Sequence, residues 1–293
     1  MLSPQLTLQG LVQRVREQLE AVKVETPDVE ARRLVTDALK LDAVALIRDP
    51  DMKLDQAQIA CVSGWLERRA DGEPLARIRG WQEFYGRRFD LTEATLEPRA
   101  DSETIIEAVL ATVDSGRGRD HPWRILDVGT GTGCLAITLL AELPHATATA
   151  TDISAQAIDT TGSNAQRLDV DARLTRIVTN LTGDPPLPFD FVVSNPPYIK
   201  SSEIPQLQTE VVSFDPLVAL DGGDSGLSCY EELSAQLSAA AWGGHLFVEI
   251  AANDNERVVF ALRQNGLKFA NEQVQLWRDL TGHVRCVAIE TRC

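Results

Sequence analysis

The sequence predicts an α/β protein, in which helices cover both faces of a mostly parallel sheet, with a small all-α domain before it. Along about the first 70 residues, apolar residues recur at intervals of three and four, as on the buried side of helices. From residue 123 onward, strand-like and helix-like segments alternate, which is typical of a parallel sheet. A glycine-rich turn joins the first of these strands to the helix that follows it.

The N-terminal part predicts a helical bundle. Apolar stripes at helical spacing lie at residues 8–22, 31–39 and 59–66. Thr26-Pro27-Asp28 predicts the start of the second helix, with the Thr26 hydroxyl as its cap, a proline in the first turn and an acid at the positive end of the helix dipole. The bundle by itself indicates no chemistry.

A short β-hairpin is predicted after the bundle. The pattern changes at Asp71-Gly72-Glu73-Pro74, and the aromatic stretch WQEFYGRRFDL at residues 81–91 is interrupted by Gly86. We expect this stretch to join two domains.

The remaining chain supplies the sheet. The predicted strands are 123–129, 146–153, 173–179, 189–194 and 245–251. The predicted helices are 134–143, 154–168, 230–241 and 255–266. The last two predicted strands, 273–280 and 283–290, have no helix between them and are expected to pair antiparallel.

A cofactor is predicted to bind at ILDVGTGTGCLAI, residues 125–137. Gly129, Gly131 and Gly133, with Thr130 and Thr132 between them, let the backbone pass close to a ligand. Their G-x-G-x-G spacing differs from the G-x-G-x-x-G of dinucleotide sites, and it suits S-adenosylmethionine, which has no pyrophosphate.

Two carboxylates accompany this loop. Asp127 directly precedes the glycines, and it either sets the geometry of the loop or faces the amino acid end of the methyl donor. Asp152 ends the second strand, where a carboxylate can accept from both ribose hydroxyls. The alternative role of Asp152 is to cap the helix that starts near Ser154.

The motif Asn195-Pro196-Pro197-Tyr198 follows another predicted strand at its carboxyl end, where open α/β sheets bind ligands. The prolines keep the backbone extended, so the segment cannot begin a helix. The Asn195 side-chain oxygen and the Pro196 carbonyl are adjacent acceptors that match the two hydrogens of an –NH₂ group, and the Tyr198 ring can stack on a planar amide or base. The motif therefore predicts a clamp that holds an amide nitrogen in front of a methyl donor.

Charge and composition argue against several other classes. The net charge of −15 disfavours a large nucleic-acid footprint. The five cysteines form no C-x-x-C pair and the four histidines have no ligand spacing, so neither a disulfide framework nor a metal site is predicted. The N-terminus lacks an apolar signal core and no apolar run is long enough to span a membrane, so we expect a reduced, cytoplasmic protein.

Taken together, these motifs resemble the release-factor glutamine N5-methyltransferases, which modify the GGQ loop of bacterial peptide-chain release factors. The similarity covers nearly the whole chain, and DVGTGTG and NPPYI match closely. Residues 72–89 are similar to the family's interdomain segment, and residues 98–103, which include Asp101-Ser102-Glu103, are similar to its PRPDTE element. FDPLVALDGGDSGL at 214–227 resembles EPRLALDGGEDGL, and RDLTGHVR at 278–285 resembles a C-terminal strand turn.

The resemblance implies a helical substrate-recognition domain at residues 1–75, a β-hairpin linker at 76–97 and a Rossmann-like class I methyltransferase domain with a seven-stranded sheet at 98–293. It implies S-adenosylmethionine as donor, S-adenosylhomocysteine as product and a release factor as partner. The donor contacts it implies are Gly129 to Gly133, Asp152 and Asn195, with the glutamine held at Asn195 to Tyr198. Asn180 or Leu181 stands where the family often has an aromatic residue near the adenine, so the adenine contact is expected there.

Four alternatives remain at this stage. A ribosomal-protein glutamine N5-methyltransferase would have the same chemistry and a similar layout. A methyltransferase of exocyclic amines in nucleic acid fits the same clamp, but the acidic charge disfavours it. The intact NPPY motif argues against an inactive donor-binding scaffold, and the glycine spacing argues against a nicotinamide oxidoreductase.

Overall fold

A computed structural model of the chain describes residues 6–183 and 188–291. The chain forms two compact units, one of Met1–Gly80 with Thr209–Phe214 and the other of Trp81–Gln208 with Asp215–Cys293. Cys293, one of the five cysteines for which no disulfide framework is predicted, lies outside the described residues. The three-part division predicted at 75/76 and 97/98 stays a prediction.

The helices and strands are numbered in chain order. The helices are α1 (Leu8–Ala21), α2 (Pro27–Leu39), α3 (Ala45–Arg48), α4 (Gln56–Ala70), α5 (Leu75–Arg79), α6 (Glu103–Ser115), α7 (Cys134–Glu142), α8 (Ala155–Arg167), α9 (Thr209–Phe214), α10 (Ser228–Ala239) and α11 (Asn255–Gln264). The strands are β1 (Trp81–Phe84), β2 (Arg87–Asp90), β3 (Arg124–Val128), β4 (Thr147–Asp152), β5 (Leu174–Val178), β6 (Phe191–Ser194), β7 (Gly244–Glu249), β8 (Val274–Arg278) and β9 (Val284–Thr291).

The first unit is a helical bundle, as predicted. The apolar stripes of α1, α2 and α4 form one buried cluster, which includes Leu11, Leu34 and Val62. The Asp55 side chain accepts from the Gln58 N–H at 2.8 Å and the Gln58 side chain accepts from the Asp55 N–H at 2.9 Å, a capping box that starts α4.

The predicted capping role of Thr26 is wrong. Thr26 precedes α2 and Pro27 occupies the first turn, but the Thr26 side chain makes no capping hydrogen bond. Its backbone, at φ −125° and ψ 61°, is not the extended conformation that turns a hydroxyl toward the free N–H groups of the first turn. Asp28 and Glu30 do lie in that turn, where their charges favour the helix dipole.

The predicted hairpin is present at the start of the second unit. Strands β1 and β2 pair antiparallel, with Phe84 opposite Arg87. The two turn residues, Tyr85 and Gly86, have φ values of 50° and 68°, as a two-residue turn with left-handed backbone requires.

The sheet of the second unit confirms the predicted α/β fold. In the described part of the chain it has seven strands in the order β5-β4-β3-β6-β7-β9-β8. All neighbours are parallel except β9, which is antiparallel to both β7 and β8. The absence of a helix between the last two strands therefore predicted their antiparallel pairing correctly. Large buried clusters lie on both faces of the sheet, one around Ile125 and Leu139 and the other around Leu126 and Tyr230.

The strand order places a crevice between β3 and β6. From β3 the chain moves outward to β4 and β5, and then returns to the other side of β3 as β6. Such a reversal opens a crevice at the carboxyl ends of the two adjacent strands, where ligands of doubly wound sheets bind. Over residues 6–183 and 188–291, no helix has the length and apolar character needed to cross a membrane.

Candidate active site

The glycine loop and the NPPY motif leave the sheet side by side. Val128, the last residue of β3, is opposite Ser194, the last residue of β6. The Ser194 hydroxyl donates to the Val128 carbonyl at 2.8 Å, which fixes the two strand ends together. Two motifs that are 66 residues apart in the sequence therefore open into the same crevice.

Most of the predicted site residues line one cavity in this crevice. Those that line it are Gly129, Thr130, Gly131, Thr132, Asp152, Asn180, Leu181, Asn195 and Pro197. The structure gives Asp127 and Pro196 buried positions, and Gly133 is buried too. Tyr198 is partly buried, and its hydroxyl is directed at Glu249.

The glycine loop is fixed by its surroundings from several sides. The Gly129 and Thr130 N–H groups both donate to the Thr151 carbonyl at 2.9 Å. The Gly131 N–H donates to Asp152 Oδ2 at 2.9 Å, and the Gly131 carbonyl accepts from the Thr161 hydroxyl at 3.0 Å. Gly131 has a φ of 57°, and a Cβ placed there would meet no atom within 4 Å, so this backbone borders open space where a ligand can approach it.

Asp152 lies at the end of β4 with both carboxylate oxygens engaged by backbone. Oδ2 accepts from the Gly131 N–H and Oδ1 accepts from the Ser154 N–H, each at 2.9 Å. The cap of α8 is Ser154 itself, whose hydroxyl accepts from the Ala157 N–H at 3.2 Å, so the alternative capping role of Asp152 is wrong. Each carboxylate oxygen keeps lone-pair capacity for a further donor on the cavity side.

Asp127 lies below the loop rather than on the cavity wall. Its Oδ2 accepts from the Thr130 hydroxyl at 2.7 Å and from the Ala136 N–H at 3.1 Å, so it ties the loop to the start of α7. Its Oδ1 is buried without a hydrogen-bond partner. Burial raises the pKa of Asp127 to about 6, and the two hydrogen bonds oppose this shift. These contacts correspond to the first of its two predicted roles, that of setting the loop geometry.

The residues present fit S-adenosylmethionine. A donor with an ammonium group and two ribose hydroxyls needs acceptors, and Asp152 borders the cavity with unused acceptor capacity. The unpartnered Oδ1 of Asp127 leaves negative charge under the loop, which favours a cation nearby. The open space beside Gly131 gives a planar ligand access to the backbone.

The far wall of the cavity is formed by Asn180 and Leu181. The Asn180 side-chain nitrogen donates to Glu232 Oε1 at 2.7 Å, and this hydrogen bond anchors the Asn180 side chain to helix α10. Leu181 has a φ of 48°, a left-handed conformation that side chains other than glycine adopt at a cost. The apolar Leu181 side chain packs against the buried cluster beneath it, so this wall offers an aliphatic surface where the family often has an aromatic one.

The NPPY loop is held in place by the LDGGDSGL segment. The Ile199 N–H donates to the Leu220 carbonyl at 3.1 Å, and the Ile199 carbonyl accepts from the Gly222 N–H at 2.8 Å. Gly226 has a φ of 74°, and a Cβ there would lie 2.6 Å from the Tyr198 carbonyl oxygen, so only glycine allows this approach. The second motif that the sequence shares with the family therefore supports the first.

A buried polar chain, which sequence reasoning missed, lies behind Asn195. The Asn195 side-chain nitrogen donates to the Ser102 hydroxyl at 3.0 Å, and the Ser102 hydroxyl donates to Glu249 Oε2. The other oxygen of Glu249 accepts from the Tyr198 hydroxyl at 3.3 Å. Glu249 is fully buried at the end of β7, and burial raises its pKa to about 7, against the two hydroxyl donors. The signal in the sequence was an acid inside the apolar strand LFVEI.

Two cysteines, Cys134 and Cys229, also line the cavity, but not as nucleophiles. Cys134 opens α7 and lines the cavity. Burial raises the pKa of its thiol to about 12, so the thiolate is scarce at neutral pH. Burial also raises the pKa of Cys229, the other cysteine that lines the cavity.

Two known protein families match parts of this chain. The PrmC N-terminal domain family matches residues 10–80, and the methyltransferase small domain family matches residues 107–214. The release factor glutamine methyltransferase of Agrobacterium fabrum is 39% identical over 75% of this chain and 76% of its own length. The release factor glutamine methyltransferase of Rhodospirillum rubrum is 37% identical over 98% of this chain and 86% of its own length.

Solved structures share the fold. The hMettl16 catalytic domain in complex with MAT2A 3'UTR hairpin 1 has a TM-score of 0.54 and 13% identity, over 82% of this chain and 82% of that one. At this identity the similarity concerns the fold alone, a Rossmann-like methyltransferase sheet.

Proposed function

The chain belongs to the family of release factor glutamine methyltransferases, and we propose that it methylates the side-chain nitrogen N5 of the glutamine in the GGQ motif of a bacterial peptide-chain release factor. It is an S-adenosylmethionine-dependent methyltransferase, and the donor, when bound, supplies an electrophilic methyl group on a sulfonium sulfur. The observation that supports this proposal most strongly is that Asn195 and the glycine loop line the same cavity.

We assign the donor to the β3–β4 side of the cavity. Asp152 would accept from the ribose hydroxyls with the acceptor capacity that its two backbone hydrogen bonds leave. Gly129 to Thr132 would border the donor along the loop, while Gly133 and Asp127 act from below by holding the loop in shape. Asn180 and Leu181 would border the adenine, where Leu181 offers an aliphatic contact.

We assign the glutamine to the NPPY side. An amide nitrogen is a poor nucleophile because its lone pair is delocalised into the carbonyl. The Asn195 side-chain oxygen and the Pro196 carbonyl would each accept one N–H of the glutamine, which orients the nitrogen at the cavity where Asn195 and Pro197 lie. Holding the nitrogen at reacting distance lowers the entropic part of the barrier. A strong base is unnecessary before the attack, because the nitrogen becomes acidic once it carries the methyl group.

We further propose that the N-terminal unit recognises the folded substrate. Val44, which directly precedes α3, and Ile47 within α3 are 58% and 82% exposed. Because they are three residues apart, they lie on the same side of the helix. Ile47→Asp should therefore raise KM for an intact release factor and leave the rate on a short GGQ peptide unchanged. Val29, which is 49% exposed on α2, gives the matched control Val29→Asp. Equal effects of both variants on both substrates would contradict a recognition role for α3.

The test of the function is mass spectrometry of a GGQ-containing release factor after incubation with the protein and S-adenosylmethionine. We expect the mass of one methyl group on the GGQ glutamine, and no gain when that glutamine is replaced by glutamate. Parallel incubations with ribosomal proteins and with RNA test the two rival substrate classes. Methylation of either of these in place of the release factor would overturn the proposal.

A further inference from the structure

The buried chain Asn195–Ser102–Glu249 has a defined direction. A serine hydroxyl has one proton, and that of Ser102 is donated to the Glu249 carboxylate. The Ser102 oxygen can then only accept, and it accepts from the Asn195 side-chain nitrogen at 3.0 Å. The ionised Glu249 carboxylate, which is two hydrogen bonds away from Asn195, therefore decides which end of the Asn195 amide faces inward.

Because the amide is planar, the atom that faces Ser102 determines which atom faces away from it. The Asn195 side-chain nitrogen faces Ser102, so the side-chain oxygen lies on the opposite side of the amide group. Asn195 also lines the cavity. We propose that Ser102 and Glu249 are positioning residues that fix the donor–acceptor sense of the Asn195 amide, so that an acceptor faces the –NH₂ group of the substrate. This inference rests on the proposed function, because it assumes an amide as the acceptor of the methyl group.

Protonation of Glu249 would allow the opposite direction. A neutral carboxyl can donate to Ser102, which can then donate its own proton to the Asn195 oxygen. The Asn195 –NH₂ would turn outward and meet the –NH₂ of the substrate, donor against donor. The chain of hydrogen bonds is thus matched to the substrate in only one of two states.

The surroundings place this change near neutral pH. The groups that face Glu249 are Tyr198 and Ser102, which donate to it, together with Asp101 and Arg285. Arg285 forms ion pairs at 2.9 Å with Asp101 and at 3.0 Å with Asp279, so two carboxylates share its charge. Tyr230 donates to the Glu249 backbone carbonyl, Cys286 is opposite Glu249 on β9, and Cys134 lies close enough to interact with its charge. Burial among these groups raises the pKa of Glu249 to about 7.

Nuclear magnetic resonance tests the direction without any substrate. In the full chain labelled at the asparagine amide nitrogens, the Asn195 –NH₂ protons should show a nuclear Overhauser effect to the Ser102 Hβ protons above the pKa of Glu249. This contact should be lost as the pH falls below that pKa. The midpoint of its loss should equal the midpoint of the titration of the Glu249 carboxyl carbon. In Glu249→Gln, the titration of the Asn195 resonances should disappear. A pH-independent Asn195 amide in the wild type would overturn the proposal.

Kinetics with saturating donor then tests the consequence. We expect the wild-type kcat to fall about tenfold per pH unit below the pKa of Glu249. Glu249→Gln should lower kcat about tenfold or more at alkaline pH and abolish the pH dependence, with KM for the substrate much less affected. Tyr230→Phe is the matched control, because it removes a buried hydroxyl that donates at 2.7 Å to the backbone of the same residue and leaves the carboxylate chain intact. A Glu249→Gln enzyme with the wild-type kcat and the wild-type pH profile would also overturn the proposal.

The two experiments separate this inference from the proposed function. Suppose that the wild-type protein fails to methylate a release factor but the Asn195 amide still reverses when Glu249 is protonated. The substrate assignment is then wrong, and the positioning role of Ser102 and Glu249 stands. If the release factor is methylated and the Asn195 amide does not respond to Glu249, the function stands and the positioning role is wrong.

Discussion

Two fully buried carboxylates do different work: Asp127 lies beneath the glycine loop, and Glu249 lies behind Asn195. Both have a pKa raised by burial, to about 6 and about 7. Asp127 accepts from the Thr130 hydroxyl and from the Ala136 N–H, so it ties the glycine loop to the start of α7. Glu249 accepts from the Ser102 and Tyr198 hydroxyls, so it holds side chains.

One site can thereby separate two tasks. A carboxylate that holds the backbone of a loop shapes the surface that a donor meets, and that shape is common to all substrates. In our proposal, Glu249 acts through Ser102 to set the direction of the Asn195 amide, and that direction selects the group that is methylated. The donor side and the acceptor side should therefore respond to substitution independently.

The largest expected effect is on the acceptor side. Asn195→Ala removes the amide that faces the substrate and leaves the glycine loop intact, so turnover should fall at least about a hundredfold. Donor affinity should change much less, because the Asp152 contacts remain. Steady-state kinetics and calorimetry of donor binding check both numbers. If the rate and the donor affinity fall in parallel, Asn195 is chiefly a donor ligand.

Unfolding at different pH values distinguishes the two carboxylates. For each, the folded pKa lies above the unfolded pKa, so the folded state takes up the proton first and the free energy of unfolding falls as the pH rises between the two values. Glu249→Gln should reduce this loss by about 1–3 kcal/mol between about pH 4.5 and pH 7. Asp127→Asn should give a smaller reduction, centred about one pH unit lower. Urea titrations at several pH values measure the free energy of unfolding. If its pH dependence is identical in the two variants and the wild type, the burial argument is contradicted.

A smaller effect is expected on the donor side. Asp152→Ala removes the carboxylate that we assign to the ribose, and charge-assisted hydrogen bonds of this kind contribute roughly 1.5–3 kcal/mol. S-adenosylmethionine should bind about tenfold more weakly or worse, while kcat at saturating donor stays within a few-fold of the wild type. Unchanged affinity in calorimetry would remove Asp152 from the donor site.

The smallest effect concerns Tyr198. Its hydroxyl donates to Glu249 at 3.3 Å, a longer hydrogen bond than the one from Ser102 to the same carboxylate. Tyr198→Phe keeps the ring and removes this bond, so kcat should fall only a few-fold and the unfolding free energy by about 1 kcal/mol. A loss as large as that of Asn195→Ala would mean that the hydroxyl itself contacts the substrate.

The sequence predicted the parts of this site that are contiguous. The glycine loop and the NPPY motif each have a local backbone requirement, and alternating strands and helices predicted that both end at one edge of the sheet. The fold class and the cavity-lining role of Asp152 followed from the same reasoning. Helix α6 was not predicted, although its sequence ETIIEAVLATVDS has apolar residues at helical spacing.

The buried chain could not be predicted in the same way. Ser102 and Glu249 are 147 residues apart, and only the packing of the chain brings their side chains together. The error at Thr26 has a local cause, since capping depends on backbone angles that the residue type alone does not fix. The position of Asp127 could not be predicted for a related reason, because the depth at which a side chain is buried is a property of the assembled sheet.

The most direct test of the separation is a double-mutant cycle of Asp152→Ala and Asn195→Ala on kcat/KM for methyl transfer to the release factor. If the donor side and the acceptor side act independently, the two losses should add, with a coupling energy below about 0.5 kcal/mol. A coupling energy above about 1 kcal/mol would show that the two residues act on one shared element, and would contradict the division of the site into two tasks.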